Sequence, residues 1–432
     1  DYRTKKEREK NMLSDKNKIK EVICRKVYNS QGFATIEVEI TLENGLKAWA
    51  SAPRGSTKGN FETTYVESYI NGIERTPNID TAIANINNIV APALKGKCFK
   101  SIEEFDKVLV SLDKTDRKKI IGGNCTLAAS YAMLKLLSLI EKKPIYKLFN
   151  NISDSEVLPI FNMIDGSKHP KSCLNGVEIL LIPKKDKWHN NITKLFDAVS
   201  LINSTLKELL IEENYIVEVS NQGALSILED NMEKCLEYLK LALEKEGYSL
   251  GLEFSFGLDL AVSDYFDEQS KIYNIPWAPK FKHSTDLIRL YKSWINKYHI
   301  DYIEDAFADT DYEGWESFVN IFNNMVMISG DDLFATNINR LNSFYKIANM
   351  AVVKPNQIGT ISETIDFIRK AKDLGIKMLI SQRTGETDDV IITHLAYAFD
   401  LMYLKAGGIQ RMERVAKFNE LIRIKEWENN NE

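Results

Sequence analysis

Between about residue 250 and residue 405, ionisable side chains recur at the ends of short apolar runs. Asp259 closes SFGLDL, Glu304 lies in DYIED and Asp331 in MVMISGDD; Lys354 ends MAVVK, Gln382 and Arg383 end KMLISQR, and Lys405 ends LMYLK. The carboxylates come first and the cations later. Three hard oxygen donors suit a divalent cation, whereas lysine and arginine suit a base and an anion-binding wall. Each carboxylate also has a plainer reading as a cap on the following helix, and each lysine as a solvent-facing charge.

Side chains so far apart in sequence meet only if the runs that carry them lie side by side. Apolar runs of four to six residues suit strands buried on both faces, and their alternation with helical stretches implies a parallel sheet. Repeated at this length, the unit predicts an α/β fold of the β/α-barrel type, whose site is built at the C-terminal ends of the strands. The amino-terminal part reads differently. VICRKVY, TIEVEITL and LKAWASAP are strands, with a hairpin signal at Asn44-Gly45, and DTAIANINNIVAPAL, FDKVLVSLD and GGNCTLAASYAMLKLLSLI have helical spacing. Strands followed by helices make a small α+β domain. The expected division is a charged extension over 1–18, an α+β domain over 19–150, a barrel over 151–426 and a polar tail over 427–432.

The chain has 432 residues, is 44% hydrophobic and carries a formal net charge of -5. Without a basic excess to replace phosphate counterions, nucleic-acid binding is not expected. No run of about 20 apolar residues suggests a membrane span. Cysteines 24, 98, 125, 173 and 235 are odd in number and scattered without CxxC spacing, which reads as reduced thiols of a cytoplasmic protein. The extension DYRTKKEREKNMLSDKNK is a solvated tail or an arm for a protein assembly.

The motifs IEDAF (303–307), GDDLFATN (330–337), VKPNQIGT (353–360), SQRTGET (381–387) and RMERVAKFNELIRI (411–424) resemble, in order, the barrel signatures of the enolase (phosphopyruvate hydratase) family. NSQGFATIEVEI (29–40), PRGSTKG (53–59) and LDKTDRKKIIGGNC (112–125) are similar to its amino-terminal segments. The resemblance implies an α+β cap, an eightfold barrel with an irregular first strand pair, Mg dependence, and interconversion of 2-phosphoglycerate and phosphoenolpyruvate. By the same resemblance Asp259, Glu304 and Asp331 are metal ligands, with Thr57 of a mobile loop joining a second ion. Lys354 is the base, Arg383 and Thr384 bind phosphate, Lys405 holds the substrate carboxylate, and His169 closes over the substrate. Glu178 is one of two acidic residues around the leaving hydroxyl. Arg25 and Glu413 match an intersubunit ion pair and so imply a homodimer, although Gln31 replaces an arginine near that interface.

The chain departs from the family where the hydroxyl leaves. VSNQGA (219–224) stands in place of Gly-Asp-Glu-Gly-Gly, so Gln222 replaces the second acid; Gln382 replaces a histidine, and Val177 replaces a glutamine. An amide cannot donate a catalytic proton, and positioned acid-base help is worth roughly 10²- to 10⁴-fold. Two readings follow. One is an enolase whose dehydration is impaired or lost. The other is a non-catalytic enolase-like scaffold, as in a cytoskeletal or axonemal assembly.

Overall fold

Alternation of apolar and polar residues sets the amino-terminal sheet. In the computed structural model, which describes residues 16–55, 59–69, 77–149, 155–166, 174 and 176–429, β1 (Ile19–Tyr28), β2 (Ala34–Leu42) and β3 (Lys47–Ser51) pair antiparallel in that order. Ile36, Val38, Ile40 and Leu42 fall at every second position of β2 and are fully buried, the period a half-buried strand requires. The turn into β3 uses Gly45 at φ +86, a conformation that L side chains rarely adopt. Helix α1 (Ile102–Leu112) begins where the Ser101 side chain accepts from the Glu104 amide. Helix α2 (Gly123–Glu141) is long and apolar enough to cross a bilayer, but 78% of that stretch is buried inside the protein. It is the core helix of this domain.

The chain divides into two compact units. One comprises Asp1–Asn151 with Lys354–Phe367 and Arg383–His394; the other comprises Ile152–Val353, Ile368–Gln382 and Leu395–Glu432. Within the first, polar contacts bind the late segments to the early ones. Lys118 Nζ pairs with Glu363 at 2.8 Å, Asp106 Oδ2 accepts from the Ser362 amide at 2.8 Å, and Arg54 bridges Gly385 through the backbone.

The second unit holds a closed barrel of eight strands: β4 (Leu158–Asp165), β5 (Glu178–Pro183), β6 (Phe254–Asp259), β7 (Ile300–Glu304), β8 (Met327–Gly330), β9 (Met350–Val353), β10 (Lys377–Ser381) and β11 (Tyr403–Lys405). Pairing of β11 with β4 closes it. β5 runs antiparallel to β4 and β6, and the remaining barrel pairs are parallel, so the expected irregular first pair is present. Helices Ser284–Tyr298, Tyr312–Phe322, Ile338–Phe344, Ile361–Asp373 and Ile391–Ala398 separate the strands from β6 onward. A two-residue ribbon, Glu218–Val219 with Leu225–Ser226, extends the sheet beside β4, where Leu225 pairs with Ile164.

Candidate active site

Because β5 runs against its neighbours, its first residue arrives where they end. Cross-strand register therefore sets Asp165, Glu178, Asp259 and Glu304 in one row, on one face of the sheet. Lys405, the last residue of β11, reaches this row. Its Nζ lies 2.7 Å from Asp259 Oδ2, 2.7 Å from Glu304 Oε2 and 3.1 Å from Glu178 Oε2. Lys405 is 3% exposed. Burial pulls its pKa down, but the charges of Asp259, Glu178 and Glu304 outweigh that and hold it well above the usual lysine value. Burial, followed by the charge of Glu304, raises Asp259 well above the usual carboxylate range. Tyr302, two residues before Glu304 and so on the same face, donates its hydroxyl to Glu304 Oε2 at 2.5 Å.

A chain of amides leads away from Glu178. Gln222 Nε2 donates to Glu178 Oε1 at 2.5 Å, and Gln382 Nε2 donates to Gln222 Oε1 at 2.9 Å. Arg414, fully buried, donates through Nη1 to Gln382 Oε1 and through Nη2 to the Asn221 carbonyl at 2.8 Å. The turn that carries Gln222 is closed by bonds from Ser220 N to Ala224 O and from Gly223 N to Ser220 O. Each glutamine thus donates at one end and accepts at the other, which a carboxylate in either place could do only by holding a proton.

Asp331 enters a second acidic group. Ligand atoms of Asp305, Asp331 and Asp332 lie within 4.8 Å of one another. Asp305, at φ +45, accepts the Asp331 amide on Oδ1 at 2.9 Å and the Asp332 amide on Oδ2 at 3.3 Å. Asp305 thereby braces the loop after β8. Burial and the charges of Asp332 and Asp331 raise its carboxyl well above the usual range. These residues fit a divalent cation on two counts. Three carboxylates offer ligand atoms close together, and among the described residues Glu304 Oε1 is buried without a hydrogen-bond partner, a costly state unless a cation takes it.

Among the described residues of the first unit, Lys354 directly follows β9 and stands at the N-cap of the short helix Pro355–Ile358. Arg383 is 7% exposed; its Nη1 pairs with Glu62 at 2.9 Å and approaches Asn356 Oδ1 at 3.4 Å. The Thr384 carbonyl accepts from the Ser30 hydroxyl. Thr57 and His169 lie outside the described residues.

Sequence comparison decides what this site descends from. Residues 19–149 match the family described as Enolase, N-terminal domain, and residues 155–431 match Enolase, C-terminal TIM barrel domain. The chain is 33% identical over 417 residues to the enolase of Ehrlichia canis (strain Jake), covering 94% of this chain and 96% of that one. It is 34% identical over 413 residues to the enolase of Ehrlichia chaffeensis (strain ATCC CRL-10679 / Arkansas), covering 94% and 96%. Identity to the enolase of Anaplasma marginale (strain St. Maries) is 33% over 414 residues, covering 95% and 94%. The chain belongs to the enolase family.

Within this enolase fold, the structure joins Glu178, Gln222, Asp259, Glu304, Gln382 and Lys405 into one connected set, and places Asp331 with Asp305 and Asp332. Sequence reasoning missed Asp165, Tyr302, Asp305, Asp332 and Arg414. Asp165 and Asp305 sit at strand ends, the same signal that singled out Asp259, and Tyr302 follows from the period of two. Nothing local marks Arg414. Arg25, read as an intersubunit cation, pairs within its own sheet with Glu37 at 2.7 Å and Glu39 at 2.6 Å.

Proposed function

We propose that the chain holds a magnesium-dependent site for 2-phosphoglycerate in which removal of the C2 proton outpaces loss of the C3 hydroxyl. The observation that carries this reading is the contrast within one barrel mouth. The cluster of Asp259, Glu304 and Lys405 is intact, whereas Glu178 leads only to the amides of Gln222 and Gln382. Carboxylates of Asp259, Glu304 and Asp331 would hold the metal, with Thr57 for a second ion. When bound, magnesium neutralises the negative charge that develops on the substrate carboxylate. Lys354 takes the C2 proton, Lys405 opposes the substrate's charge, and Arg383 with Thr384 grips phosphate once the guanidinium exchanges Glu62 for it. Family membership supports a homodimer as the assembled form.

The test follows both half-reactions with purified protein, Mg and 2-phosphoglycerate in deuterated water. Expected is exchange of the C2 proton faster than formation of phosphoenolpyruvate read at 240 nm. Equal rates would refute the imbalance. Absence of both would favour the scaffold reading, for which the two glutamines are the supporting observation.

A further inference from the structure

The barrel has a second mouth. Leu158, Lys377 and Tyr403 are the first residues of β4, β10 and β11. These neighbouring strands are parallel, so all three start at one rim, at the end of the barrel away from Glu304 and Lys405. A cavity of about 260 Å³ opens at this rim. Its floor is apolar: Leu158, Ile376, Met378, Leu401 and Tyr403 line it and are buried, and Met402 is half-buried beside them. Charges stand at the edge, and its carboxylates are already engaged. Glu156 pairs with Lys185, and Asp400 Oδ1 accepts from the Ser155 hydroxyl at 3.1 Å and the Glu156 amide at 2.9 Å. Lys372 and Lys377 are exposed and have no carboxylate partner among the described residues. Lys372 lies in the last turn of the helix Ile361–Asp373, where a cation offsets the helix dipole. Lys377 begins a strand and has no such use.

We propose that this rim binds a small carboxylate with an apolar tail, at a site separate from the one that Lys405 enters. The tail lies on the floor, where two methionines adapt to its shape, and the carboxylate sits between Lys372 and Lys377. Charge selects a monoanion. Three lysines against two carboxylates leave one net positive charge around the cavity, and a second negative charge on the ligand would meet Asp400 and Glu156 at the same edge. Volume selects the length. At roughly 30 Å³ for each small group, the share of a water in the liquid, the cavity holds about nine heavy atoms, the size of a medium-chain carboxylate. Because β10 and β11 separate this rim from the other end of the barrel, such a ligand binds without competing with 2-phosphoglycerate.

Methyl NMR of the whole protein, labelled with carbon-13 in its methionine methyl groups, tests this with octanoate as the probe. Of the ten methionines, Met378 and Met402 line the cavity, and the others report on the rest of the molecule. Expected is a saturable shift of the Met378 and Met402 signals with a Kd of about 1 mM, the other methionine signals staying in place. Octanol, which has the tail alone, and acetate, which has the charge alone, should each bind at least about fivefold more weakly. Lys372→Gln combined with Lys377→Gln should weaken octanoate about fivefold and leave octanol unchanged. Excess 2-phosphoglycerate should displace nothing. Absence of a saturable shift at about ten times the expected Kd overturns the site. Octanol binding as tightly as octanoate overturns the role of the lysines and with it the carboxylate. Displacement by 2-phosphoglycerate overturns the separation of the two sites. A hexaglutamate peptide that shifts the same two signals at lower concentration than octanoate overturns the small-molecule occupant in favour of an acidic protein segment.

Discussion

Replacing Gln222 by glutamate should destabilise the protein at neutral pH. Gln222 Nε2 lies 2.5 Å from Glu178 Oε1 and its Oε1 takes a hydrogen from Gln382. A carboxylate in this place has no hydrogen for Glu178 and adds a second negative charge at contact distance. Loss of the charge-assisted hydrogen bond is worth roughly 1.5–3 kcal/mol. The alternative is for the introduced group to bind a proton, which at pH 7 costs about 1.4 kcal/mol for each unit above its ordinary pKa near 4.3, or about 4 kcal/mol. Protonation bounds the cost, so destabilisation of up to about 4 kcal/mol is expected at pH 7. The sign with pH follows from the proton. The introduced carboxyl has a raised pKa in the folded state, so the folded protein binds the extra proton as pH falls, and the deficit should shrink by up to about 1.4 kcal/mol per unit towards pH 5. Urea unfolding of Gln222→Glu beside the wild type over this range measures it. Adding Gln382→His should recover part of the loss, because a neutral imidazole can accept from Arg414 and donate to the new carboxylate. A coupling of about 1 kcal/mol or more in the double-mutant cycle is expected. Unfolding midpoints of wild type and Gln222→Glu that move in parallel from pH 5 to 8 would refute the reasoning.

Magnesium should raise the melting temperature, since a ligand held at about 100 times its Kd stabilises the folded state by roughly 2.7 kcal/mol; Asp331→Asn should abolish the rise, and a wild-type curve indifferent to Mg would remove the metal reading. Asp106 is fully buried and burial lifts its carboxyl to about 7; its stabilising proton is fully present below about pH 4 and lost as pH rises through 7, at a cost of up to about 4 kcal/mol. Asp106→Asn keeps an acceptor for the Ser362 amide and should flatten that loss, so equal pH slopes in the two proteins would contradict it. Light scattering at micromolar concentration should show a dimer, and a monomer would exclude the homodimer.

What the sequence shows of this site depends on whether position along the chain encodes position in space. The strand-end rule works for Asp259, Glu304 and Lys405 because parallel strands all finish at one rim, so an apolar run followed by an ionisable residue reports its own location. The same rule passes over Glu178, which begins its strand. Only the reversed direction of β5, invisible in an apolar run that reads alike both ways, brings it to that rim, and the family resemblance found it where periodicity did not. Arg414 illustrates a harder case: its partners, Gln382 and Asn221, are 32 and 193 residues away, and no local pattern records such a contact. Unit boundaries are hidden for the same reason, because Lys118–Glu363 and Asp106–Ser362 tie residues about 250 apart into the first unit. The glutamines show the limit from the other side. Sequence reads Gln222 and Gln382 as two subtractions from an acid-base site, each independent of the other. Geometry makes them one object, a run of donors and acceptors from Arg414 to Glu178 in which each amide donates to the next acceptor. The two glutamines are therefore better understood together, as one hydrogen-bonded chain that ends on Glu178.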